Sequence, residues 1–153
     1  MDAKMMAEAE AAEAAMMMRS GAVHCDPDAP ESVEQQPLPE GMKKKPQHQK
    51  SPAEWAYERI ILFIQNFEQQ LDGEHEVAMG FTGGDIGVLR IEGIGFFAPD
   101  ILTFYGSDEG GSDTQLVQHV SQLNVMLRAL PKMPEQAEAR RIGFRMAEEM
   151  QKA

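Results

Sequence analysis

The residues that could do chemistry are spread thinly through the second half of the chain. Asp85, Glu92, Asp100, Asp108, Glu109 and Asp113 are the carboxylates of its glycine-rich middle. Acid–base work by carboxylates needs two of them fixed together with separated pKa values. Each of these has a simpler local role: Asp85 in a turn, Asp100 after a proline at a strand entry, Asp113 at an expected helix start. The run SDEGGSD lacks the D-x-[DN]-x-[DN]-G register and closing glutamate of a calcium loop, so no metal site is expected there. His75 and His119 have no cysteine beside them, and catalysis through either would need a nucleophile and an orienting acid. No G-x-S-x-G elbow is present. Ser107, Ser112 and Ser121 are read as turn, capping and helix-surface residues. No catalytic residue and no cofactor is assigned.

Gly93-Ile94-Gly95-Phe96-Phe97-Ala98 matches the loose G-x-G-x-x-A pattern of dinucleotide-binding turns. That turn works only where it opens a helix whose N-terminus faces the pyrophosphate. Here Pro99 and a β-rich run follow, so the glycines read as turns and a bulge.

The elements that must position these groups begin at Ser51. Ser51-Pro52-Ala53-Glu54 combines an N-cap hydroxyl, proline at the first helical position and an acid at N3. Ala56, Ile60, Phe63, Ile64, Phe67 and Leu71 then share one helical face, and Asp72-Gly73 ends the helix. Trp55, Tyr57, Ile61 and Leu62 widen that face beyond one packing surface. Val77, Met79 and Phe81 alternate as a strand, Thr82-Gly83-Gly84-Asp85 supplies a hairpin turn, and Val88 to Glu92 forms a second strand. Gly93-Ile94-Gly95 bends the chain before a third strand, Ile101 to Tyr105. Ser112-Asp113-Thr114-Gln115 reads as a second capping box, followed by the helical stripe Leu116, Val120, Leu123, Leu127 and Leu130. A third helix is expected from Pro134 to about Met150. The fold expected is α+β: helix, three-stranded antiparallel sheet covered on one face, helix, helix, over residues 51–150.

Residues 1–50 read as a disordered or partly helical tail. Asp2 to Met18 favours a helix without a clean apolar stripe, and Ser20 to Lys50 is polar and proline-containing. Met16 to Met18 and Lys43 to Lys45 are its candidate docking residues, the lysine run being too short for a nucleic-acid patch.

Charge excludes some functions. The 153 residues carry 14 basic and 25 acidic side chains, a formal net charge of -11. Between residues 51 and 131 only Arg59, Arg90 and Arg128 stand against 12 acids. Such a segment repels a phosphate backbone, so nucleic-acid binding is not expected. Topology alone would also allow a double-stranded RNA-binding domain, but its second helix would have to be basic. The single cysteine, Cys25, excludes an internal disulfide. The acidic, alanine-rich start is unlike a secretory signal, and no run nears the ~18 apolar residues of a membrane span. A soluble, cytoplasmic protein is expected.

The runs SPAEWAYERIILFIQNFEQQLDGEHEVAMGF, GGDIGVLRIEGIGFFAPDILTFYGSD and QLVQHVSQLNVMLRALPK together resemble a family of short bacterial proteins catalogued as domain of unknown function family 6173. The resemblance covers about residues 50 to 148. It implies a discrete bacterial domain and no activity.

Two functional readings follow. One is a non-enzymatic protein-interaction domain, self-associating or not, with Trp55, Tyr57 or Phe97 in an exposed apolar patch. The other is a small-ligand or enzymatic pocket by the FFAPD and FYGSD segments. In it Phe96, Phe97 and Tyr105 would be walls and Arg90, Asp100 and Asp108 polar anchors.

Overall fold

A computed structural model describes residues 2–6, 20–82 and 87–152. The candidate docking residues Met16 to Met18, most of the helix expected from Asp2, and Gly83 to Asp85 of the expected hairpin turn lie outside the described residues. The chain divides into two compact units, residues 1–50 and 51–153. The first holds short helical turns at Val33–Gln35, Glu40–Lys43 and Gln47–Gln49. Within it Lys50 Nζ donates to the Met42 carbonyl at 2.6 Å, and Lys43 pairs with Glu40 at 3.3 Å.

The second unit opens with α1 (Pro52–Glu68), where Ser51 Oγ accepts the Glu54 N–H at 3.1 Å and Pro52 fills the first position. Five strands follow: β1 (His75–Phe81), β2 (Val88–Phe97), β3 (Ile101–Ser107), β4 (Asp113–His119) and β5 (Val125–Pro131). A final helix, α2, spans Ile142–Lys152. The strands form one antiparallel sheet in the order β4-β3-β2-β1-β5. Ala53, Ala56, Ile60 and Ile64 of α1 pack on Val77 and Met79, Leu89 and Ile91, and Leu102 and Phe104. These alternate residues define the inner face. Side chains one position over, from Arg90, Thr103, Tyr105 and Val117 among others, stand on the outer face.

The expectation of a three-stranded sheet is wrong. The stretch read as a second helix, Thr114 to Leu130, is β4, a 3₁₀ corner at Val120–Gln122, and β5. The stripe residues Leu116, Val120, Leu123 and Leu127 do pack against the core, but from two strands and a corner. A spacing of four is common to both periods, since it is one turn of helix and two pleats of strand. Leu130 leaves the stripe and stands opposite Glu76 on the outer face. Ser112-Asp113-Thr114-Gln115 therefore caps nothing and leads into a strand. The third helix also starts later than Pro134, at Ile142.

Gly93-Ile94-Gly95 does not end β2 either. The strand runs on to Phe97, with a register shift between Ile91 and Gly93. Opposite that bulge lies Gly106, where a Cβ would collide with the Arg90 carbonyl. The two backbones approach too closely for any side chain. Replacing Gly106 by alanine is expected to cost about 2–3 kcal/mol by urea denaturation, against under ~0.5 for Gly73→Ala, whose Cβ position is open.

Candidate functional site

The outer face of the sheet divides into two parts with different chemistry. At one end the segment after β5 crosses it. Glu76 of β1 points outward beneath this segment and is only 2% exposed. Its carboxylate accepts from Arg90 Nη1 at 2.7 Å, from the Arg140 backbone N–H at 2.8 Å and from Gln136 Nε2 at 3.3 Å. Arg140 adds longer ion pairs to Glu76 and Glu92, at 3.7 and 3.6 Å. Arg90 Nη2 donates to the Pro131 carbonyl at 2.9 Å. Burial raises the affinity of Glu76 for a proton, but these donors and guanidiniums outweigh it and hold the carboxyl below its ordinary value.

A cavity of about 490 Å³ lies beside this network, lined among others by Val88, Arg90, Glu92, Asp108, Leu130 and Arg140. Two of the expected anchors, Arg90 and Asp108, thus meet at one cavity. Phe96, Phe97, Tyr105 and Asp100 do not line it. The anchors' polar atoms are also engaged in the fold: Arg90 as above, and Asp108 Oδ1 accepting the Ser112 N–H at 2.9 Å. A carboxylate held ionised by two arginines is a poor proton shuttle, since general acid–base catalysis favours a pKa near the working pH.

At the other end, side chains of the outer face reach solvent. Phe97 stands opposite Ile101, Thr103 opposite both Gly95 and Val117, and Tyr105 opposite both Gly93 and Gln115. Phe97 is 76% exposed, Val117 59% and Tyr105 42%. Gly93 and Gly95 leave the room over which the Tyr105 ring lies. Phe96, one residue from Phe97, turns the other way and packs on Tyr57 of α1, ring centroids 4.9 Å apart. Tyr57 is half-buried, and its hydroxyl is raised above its ordinary value by burial and then by Glu58. Trp55 is also half-buried, with the Arg59 guanidinium 4.9 Å from its ring centroid. Of the three alternatives for an exposed apolar residue, Trp55, Tyr57 and Phe97, it is Phe97 that is mostly in solvent.

One constellation escaped the reading of single residues. His119 Nδ1 lies 2.8 Å from Ser121 Oγ and its Nε2 lies 3.1 Å from Asp100 Oδ2. Nucleophile, base and acid are thus in line, as in hydrolases. But Nδ1 also accepts the Ser121 backbone N–H at 3.1 Å, which makes the ring a cap of the 3₁₀ corner. The His119 and Asp100 side chains are 48% and 43% exposed, outside the cavity. With the Val120 N–H donating to the Asp100 carbonyl at 2.7 Å, the trio ties the β4 end to the β3 start. The pairing of Asp100 with His119 becomes legible only once β4 is recognised as a strand ending at His119.

Among the described residues no cluster of three or more His, Cys, Asp or Glu could hold a metal ion. No helix there is long and apolar enough to cross a membrane. A family model described as a family of unknown function (DUF6173) matches residues 48–145. No curated protein and no solved structure matches the chain.

Two expectations follow from this geometry. Glu76→Gln should cost about 3 kcal/mol at neutral pH, because Arg90 loses its buried counter-charge. Glu76 is held low, so its contribution is complete above the unfolded carboxylate range and fades as pH falls through the lower folded value. The gap between wild type and Glu76→Gln in urea denaturation should therefore narrow on acidification. Second, a fluorophosphonate probe should leave Ser121 unlabelled by mass spectrometry, since a corner clamp does not activate its hydroxyl.

Proposed function

The chain belongs to this family of unknown function, and from its geometry we propose that residues 51–153 form a protein-interaction domain working through the bare end of the outer sheet face. One observation carries the reading: Phe97, Val117 and Tyr105 expose apolar surface on one face of three hydrogen-bonded strands, with Ile101 and Thr103 between them. Isolated exposed apolar residues are ordinary, but a group of them held on one face of hydrogen-bonded strands marks a contact surface. The strands fix these side chains before any partner arrives, which lowers the ordering entropy that binding must overcome. The cavity beside Glu76 ranks second as a site, because its arginines are engaged in holding the segment after β5. A soluble, cytoplasmic setting belongs to the same proposal.

The test is a double substitution, Phe97→Ser with Tyr105→Ser. Phe97 is mostly in solvent and Tyr105 is 42% exposed over Gly93 and Gly95, so the cost in stability should stay near ~0.5 kcal/mol for the first and about 1 kcal/mol for the second. A photo-crosslinking residue at position 117 in the full chain should give discrete protein adducts in source-cell lysate. The double variant should lose them while remaining folded. Adducts that persist unaltered in that variant would contradict the reading.

A further inference from the structure

The two edges of the sheet are unequally guarded. An edge strand offers unpaired backbone groups to any passing chain, and proteins commonly protect it with charge or proline. β5 is protected in this way: Arg128 stands at its centre and Pro131 at its end. A two-fold pairing about that centre would set Arg128 against Arg128. β4, with the sequence DTQLVQH, has no lysine, arginine or proline. It is also the edge beside the bare apolar patch.

We propose that β4 is the self-association edge of this domain and pairs antiparallel with β4 of a second copy, joining two five-stranded sheets into one. This rests on the interaction reading above and names its partner. A two-fold axis at Leu116 is the register that pairs all seven residues, and its consequences are specific. Asp113 faces His119 of the second copy, a carboxylate opposite an imidazole at both ends, with no like charges directly opposed. Gln115 faces Val117, and Leu116 faces Leu116 on the core side.

Thr114 then faces Gln118, again on the core side. Gln118 Nε2 is buried with no hydrogen-bond partner among the described residues. A buried donor without an acceptor is costly. Thr114 Oγ1 donates to the Ser112 carbonyl at 3.0 Å and keeps lone pairs free. In this register each copy's Thr114 offers the acceptor that the other copy's Gln118 lacks, and the Gln118 amide meets it by turning out from under its own chain toward the directly opposed residue. The outward Val117 side chains meet over the joint and extend both apolar patches across it.

Two experiments on the full chain test this. In sedimentation equilibrium over a wide concentration range, the wild type should reach two chains. Val117→Lys should raise the dissociation constant about a hundredfold, placing two cations at the joint, with circular dichroism unchanged and the melting temperature unchanged at dilutions where the wild type is one chain. Asp113→Lys should weaken it in the same direction. A wild type that stays one chain throughout, or a dimer indifferent to Val117→Lys, overturns the proposal.

The second experiment reads the register. In a Cys25→Ser background, Gln115→Cys with Val117→Cys should form an intermolecular disulfide on mild oxidation. Either cysteine alone should not, because residues two apart across the axis lie beyond the ~7 Å disulfide limit between Cα atoms. Single cysteines that link as readily as the pair would overturn the register. If the chain proves monomeric while the Phe97→Ser/Tyr105→Ser variant still loses its adducts, the interaction reading stands and the second copy is excluded as occupant.

Discussion

A buried carboxylate on the wrong side of a sheet organises much of this domain. Glu76 points away from the helices, toward the face that would otherwise meet water, and is stable there because three donors converge on it. Those donors come from β2 and from the segment after β5, so the ionised group works as a clamp across elements far apart in sequence. Once clamped, the segment passes round the sheet and delivers α2 to α1. There a second buried carboxylate, Glu68, accepts the Gly143 and Phe144 N–H groups at 2.8 and 3.3 Å and caps α2 from another helix. Gly143 lets α2 approach, since a Cβ there would sit 2.8 Å from the Gln65 nitrogen.

The two acids pull stability in opposite directions with pH. Glu76 is held low by its partners. Glu68 is raised, first by burial, with the Gly143 and Phe144 N–H groups and Arg141 offsetting part of that. Ionising Glu68 therefore costs the folded chain stability as pH rises from the unfolded carboxylate value to the raised folded one. The clamp also decides what the outer face can do. It fills one end with satisfied charge and leaves the other, from Phe97 to Val117, open. The proposed contact surface follows from where the covering segment stops.

How much of this was legible depended on period and on distance along the chain. Ser51 to Glu54 signalled the start of α1 because capping is a local interaction. The alternation of Val77, Met79 and Phe81 signalled β1 for the same reason. Thr114 to Leu130 misled because apolar residues four apart satisfy helix and strand alike, and the β-branched Thr114, Val117, Val120 and Val125 were the signal that should have counted against a helix. Arg90 and Asp108 were singled out as polar anchors, yet the group that gathers the cavity wall is Glu76, whose partners lie 14, 60 and 64 positions away. No spacing rule reaches that far. Phe97 was separable from Phe96 only once the Ile91–Gly93 bulge had set which of the two faces out.

The central claim is that the exposed β4 edge and the apolar face beside it are a contact surface. Hydrogen–deuterium exchange on the full chain at low and high protein concentration reads it residue by residue. Amides of residues 113–119 should exchange more slowly as concentration rises, while those of 125–131 at the opposite edge stay unchanged. Equal exchange at both edges across the whole concentration range would contradict the account.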